Sequence, residues 1–207
     1  YLEIKALKNN VDYDLREIYP KSAEAYRFFI EGINSILTWD NESAIQSLKK
    51  ALEIDSTFTY ARFYIAWAYA YGNGSGSDQY DQYKVWTKKT YDRKDRLPPK
   101  YQLWVELWNA LFISKNPSDI IRYCDLLEKS GLQSRWLWFD LGVTYNNYLG
   151  QHEKAVEAYE KVMQISLARG ENWEYEPFYL LYGSALHEVG DHRKEKEVYE
   201  IGFSFFP

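Results

Sequence analysis

The chain has 207 residues, of which 46% are hydrophobic and 27% charged, a balance that fits a globular core and excludes an intrinsically disordered chain. Its formal net charge of -5 excludes a globally basic nucleic-acid-binding surface. The longest unbroken apolar run, "FYIAWAYAY" over residues 63–71, is far short of the roughly 18–20 residues of a spanning helix, so no membrane insertion is expected.

Aromatic residues make up 18% of the chain, with 20 Tyr and 8 Trp. Such side chains suit half-buried surfaces that keep one polar handle wet. The single cysteine, Cys124, forms neither an internal disulfide nor a cysteine-rich zinc site. One thiol is compatible with a reducing compartment such as the cytoplasm. The chain begins at Tyr1 without an initiator Met, so residues 1–21 are expected to be a leading segment joined to an upstream region.

"YLEIKAL" fits a short strand or a helix, and "DYDLREIYP" is a helical turn ended by Pro20. From Ser22 the pattern is helical. "SAEAYRFFIEGINSIL" carries apolar residues at Tyr26, Phe29/Ile30, Ile33 and Ile36/Leu37, the spacing of one helix face. Ser22 is the predicted N-cap. "TWDN" breaks the pattern, and "ESAIQSLKKALEI" forms a second amphipathic helix. "YARFYIAWAYAY" is helical and "GNGSGSD" ends it. After Pro98-Pro99 come "YQLWVELWNALFI" and "IIRYCDLLEKSG", parted by "SKNPSD". A fourth pair holds "LGVTYNNYLGQHEKAVEAYEKV", and a fifth runs through "EPFYLLYGSALHEVG" and "DHRKEKEVYEIGFSFFP". Helix–turn–helix units at a period in the thirties predict a solenoid.

The fourth unit places Trp138, Leu141-Gly142, Tyr145, Gly150, Ala155, Tyr159 and Val162 in the order of a tetratricopeptide repeat, with one extra residue in the turn. The fifth matches at Tyr179, Gly183, Leu186, Gly190, Tyr199, Gly202 and Pro207, but has Glu195 where the family has a small Ala. The first matches at Gly32, Ala44, Leu48 and Ala51, and the second mainly at Ile65-Ala66 and Tyr69. The third is degenerate, with Trp104, Leu107 and Leu111, but Trp108 in place of a small residue. Residues 22–207 therefore resemble a tetratricopeptide repeat array. The resemblance implies an all-α, right-handed superhelical solenoid of about five hairpins. Residues 22–71 and the later "RLPPKYQLWVEL" are also similar to repeat arrays attached to bacterial signalling proteins, among them transcription regulators, adenylate cyclases and Ser/Thr kinases.

In such arrays the first helix of each hairpin lines a concave groove that binds a peptide or a partner helix. The resemblance implies groove positions at Tyr26, Phe29 and Ile33; Tyr60, Phe63 and Trp67; Gln102, Val105 and Asn109; Trp136, Phe139, Val143 and Asn146; and Leu180, Ser184 and His187. Exposed aromatics there mark a binding surface. The competing reading is that they pack under the leading segment or against neighbouring helices. A carboxylate clamp of the family's cationic type is not expected, because Phe29, Phe63, Val105 and Phe139 stand where it needs cations.

Seven basic residues lie from Lys84 to Lys100, and Lys89, Arg93 and Arg96 share a helical face. With Asp92 and Asp95 interleaved, the run reads as a solvated helix face. The competing reading is a patch for an acidic partner or nucleic acid. "GNGSGSD" lacks the Lys-Ser/Thr ending of a phosphate loop and reads as a turn. Cys124 reads as a small core residue. His152, His187 and His192 form no i, i+4 pair, so neither a metal nor a cofactor is expected. No Ser or Cys carries a local catalytic signature, and the scattered Glu pairs read as ordinary helix surface. The expected function is a non-catalytic module for a protein or peptide partner. The alternatives are a ligand- or peptide-sensing domain and, third, a helical enzyme with a site assembled from distant helices.

Overall fold

The computed structural model describes residues 20–38, 40–71, 77–131 and 133–206. Most of the expected leading segment, residues 1–19, lies outside the described residues, as does the 72–76 part of the Gly/Ser turn. The described residues form ten α-helices and no strand. They pair as five hairpins: α1 (Ala23–Leu37) with α2 (Asn41–Ile54), α3 (Thr59–Ala70) with α4 (Ser77–Tyr91), α5 (Pro99–Asn109) with α6 (Pro117–Lys129), α7 (Arg135–Val143) with α8 (His152–Arg169), and α9 (Glu176–Glu188) with α10 (His192–Phe205). No described helix is long and apolar enough to cross a membrane.

Packing divides the chain into two compact units, one through Gly131 and one from residue 132 onward. The first holds α1 to α6 and the second α7 to α10.

Local chemistry sets the helix ends. The Ser22 hydroxyl accepts a hydrogen bond from the Ala25 amide at 3.0 Å, the predicted N-cap. Asp40 accepts from the Ser43 amide, and Ser134 from the Leu137 amide. Pro99 and Pro117 open α5 and α6, where a missing amide hydrogen costs nothing.

The first helices of the third and fourth hairpins run on as π turns, Ala110–Ser114 and Thr144–Leu149. A π turn takes up one more residue than an α turn. The extra residue of the fourth repeat is thus absorbed inside the helix. Each π turn ends in a left-handed residue, Lys115 at φ 50 and Gly150 at φ 61. Gly150 is the expected helix stop; Lys115 does the same work at a steric cost that glycine avoids.

Asp55 ties α2 to the start of the array. It is buried, and its carboxylate accepts from the Lys21 amide at 2.8 Å, the Thr57 amide at 2.9 Å and the Thr57 hydroxyl at 2.6 Å. Burial pushes its carboxyl upward. The Thr57 hydroxyl, the two amides and the Lys21 ammonium together outweigh that and hold it below the usual range. A lowered folded-state value means that the stability it supplies is complete above the unfolded value of about 3.9 and is lost as pH falls through the folded value. Asp55→Ala is therefore expected to cost about 1–3 kcal/mol near neutral pH. Urea midpoints of the two proteins should converge in acid; a gap that stays constant with pH would refute the ionic part of this assignment.

Candidate functional site

In the first unit, every aromatic position expected to line a groove except Tyr26 is core. Phe29, Phe63 and Val105 have no exposed surface, and Ile33, Trp67 and Tyr60 retain 2%, 3% and 4%. The Phe63 ring stacks on Trp108 at 4.6 Å and meets Trp104 and Tyr101 edge-on at 5.2 and 5.6 Å. Trp108, the large residue at a position usually small, is what fills the space beside Phe63. Phe29 packs on Phe58 at 4.8 Å and on Tyr64 at 5.7 Å. Nine of the twelve residues of α3 are buried, so this helix has no free apolar face. Tyr26 and Asn109 remain half-buried. Gln102, also half-buried, donates to the Leu97 carbonyl at 2.7 Å.

In the second unit the same positions are covered by a loop that the helical pattern does not reveal. Between α8 and α9 the chain brings Trp173 and Tyr175, both buried, over the first helix of the fourth hairpin. Trp136 meets them at 4.7 and 4.8 Å, and Phe139 at 5.7 and 5.1 Å. Phe139 has no exposed surface and Trp136 retains 3%. The open groove expected at these two residues is thus corrected: the loop occupies it. Val143 is half-buried. Asn146 is committed within its hairpin, accepting from His152 Nδ1 at 2.8 Å and donating to Asn147 at 3.0 Å. On the last hairpin Leu180 and His187 are exposed and Ser184 is half-buried.

The basic run gains a member that its own spacing does not show. In the first unit an open pocket of about 740 Å³ is lined by Arg62, Lys89, Arg93 and Arg96, with Asp92, Asp95, Trp86 and Leu52. Arg62 comes from α3, next to core residues Ala61 and Phe63. Its Nη2 donates to the Ser56 carbonyl at 2.7 Å, while Nη1 is buried without a hydrogen-bond partner among the described residues. Burial and the charges of Arg93 and Arg96 lower its pKa, with Asp55 opposing; a guanidinium stays charged regardless. Lys94 is drawn away to Glu106 at 3.0 Å and Lys88 to Asp92 at 2.7 Å. Lys89 sits over the Trp86 ring at 4.1 Å. Lys89, Arg93 and Arg96 form no ion pair among the described residues.

A second polar cluster was hidden from any search within one helix. His187 lies in the last turn of α9, His192 begins α10, and Glu195 lies one turn further on. Their donor atoms all fall within 4.8 Å of one another. Hydrogen bonds from His192 and His187 outweigh desolvation and hold the Glu195 carboxyl below its ordinary range.

The interior of the fourth hairpin identifies its repeat type. Gly142 on α7 lies against Tyr159 on α8, with Tyr145, Ala155 and Val162 buried beside them. Residues 137–168 of this hairpin match the model of the tetratricopeptide repeat. The chain carries a tetratricopeptide repeat. Gly183 against Tyr199 repeats the contact in the fifth hairpin, and Gly32 against Leu48 supplies its aliphatic version in the first. No curated protein matches the sequence. Among solved structures, one described as the crystal structure of MamA protein shares 18% identity over 88% of this chain and 91% of that one, with a TM-score of 0.44. MamA 41-end from Desulfovibrio magneticus RS-1 shares 14% over 89% and 96%, with a TM-score of 0.47.

Proposed function

We propose that this chain is a non-catalytic protein-interaction module whose first unit takes an acidic segment of a partner protein. The tetratricopeptide hairpin is an interaction scaffold by type. The observation that carries the finer reading is the convergence of Arg62, Arg93 and Arg96 on one open pocket. Arg62, Lys89, Arg93 and Arg96 outnumber Asp92 and Asp95 in the lining, so the pocket keeps a positive excess that an acidic segment offsets. Arginine forks suit carboxylates in pairs. The acidic chain as a whole disfavours nucleic acid, whereas an acidic peptide needs only a local basic patch.

The test is fluorescence anisotropy with a short Glu/Asp-rich peptide and a Gly/Ser peptide of equal length. Binding of the acidic peptide is expected to weaken with added salt and to fall about tenfold or more in Arg93→Glu/Arg96→Glu. Both residues are exposed, so the circular dichroism spectrum should not change. Equal affinity for the two peptides, or preference for a single-stranded oligonucleotide, overturns the proposal.

A further inference from the structure

We propose that His187, His192 and Glu195 form a binding site for one divalent transition-metal ion of the zinc class. The inference concerns the last hairpin only and stands independently of the acidic-partner reading.

The site is made by a turn. The Gly190 amide donates to the His187 carbonyl and the Asp191 amide to the Leu186 carbonyl, both at 3.0 Å. Gly190, at φ 78, provides the left-handed step such a turn requires. Asp191 then caps α10 by accepting from the Lys194 amide at 3.1 Å. These bonds fix the backbone that carries all three side chains. The imidazoles come from opposite sides of the turn, with ring centroids 5.1 Å apart.

The imidazole–carboxylate spacing suits a metal, and the exposed imidazoles close the wider donor separation, up to 4.8 Å, by rotating about their side-chain bonds. His187 Nδ1 lies 3.2 Å from both Glu195 carboxylate oxygens, and His192 Nδ1 lies 2.9 Å from Oε2. Ligands on a tetrahedral ion with bonds of about 2.0–2.1 Å stand roughly 3.3 Å apart. Two imidazoles and one carboxylate form a donor set that zinc accepts, with a fourth position left for water or a partner's ligand. Both histidines are exposed, which gives the ion an entry path, while the Glu195 side chain is 18% exposed.

Glu195 also breaks the repeat. Its family position calls for a small residue, and the matching Ala155 of the fourth hairpin is fully buried. A carboxylate stands there instead, and it faces both imidazoles. The departure from the pattern and the cluster coincide.

The experiment uses the untagged chain. Zn²⁺ is titrated by calorimetry, and Co²⁺ serves as a visible-absorption probe. One saturable Zn²⁺ per chain is expected, with Mg²⁺ giving no signal because it demands oxygen ligands. Zn²⁺ should also raise the melting temperature, since an ion that binds only the folded chain stabilises it. His187→Ala and His192→Ala should each weaken binding at least about tenfold. Glu195→Ala should do the same without loss of folding, because it restores the small residue of the repeat. The sequence has only one other histidine, His152, and the buried Cys124, so little else competes for the ion. The site is refuted if Zn²⁺ fails to saturate at one per chain, or if His192→Ala/Glu195→Ala binds it as the parent does.

Discussion

Phe139→Ala is expected to lower the unfolding free energy by about 3–5 kcal/mol, read as a fall in the urea midpoint. The ring has no exposed surface and is enclosed by Tyr175 at 5.1 Å, Trp173 at 5.7 Å and Tyr159 at 6.2 Å. Removing it leaves a cavity between α7, α8 and the loop before α9. The same loss unseats Trp173 and Tyr175, whose packing holds that loop in place. Edge-to-face pairs of this kind contribute about 0.5–1.5 kcal/mol each beyond buried area. Loss of partner binding at an unchanged midpoint would instead restore Phe139 to a groove and overturn its place in the core.

The contrast between the two readings of Phe139 shows where sequence reasoning reached. Hairpin order, the N-cap at Ser22 and the left-handed Gly150 were legible, because periodicity and capping are local. Gly142 and Ala155 were legible as packing residues because a small residue opposite a large aromatic has one steric meaning. The groove was not legible. In "YARFYIAWAYAY" apolar residues surround the helix, so periodicity does not separate a face that docks a partner from one that meets the next hairpin. The loop over Trp136 was invisible for another reason: Trp173 and Tyr175 fall between two periodic segments and look like linker. The basic run displayed Lys89, Arg93 and Arg96 but not Arg62, which hides among the core residues of α3. Likewise, a search for histidine pairs within one helix misses His187 and His192, which a turn brings together. The available signal was Glu195, the one residue of its hairpin at odds with the repeat.

Gly142→Leu should cost about 3 kcal/mol, toward the upper end for overpacking. A Cβ at Gly142 would overlap the ring of Tyr159, whose side chain is fully buried. The ring has nowhere to swing: Phe178 and Tyr182 pack on it at 5.9 and 5.7 Å from the neighbouring helix. Helix α7 must then move off α8, and that separation propagates to α9 through the same ring. The assignment is decided by a double-mutant cycle rather than by one midpoint. If Tyr159 is the obstacle, Gly142→Ala in a Tyr159→Leu background should cost much less than in the parent, with an interaction energy of about 1–3 kcal/mol. Additive costs would mean that Gly142 is needed for something other than the approach of Tyr159, and the packing that defines the tetratricopeptide hairpin would have to be placed elsewhere on α7.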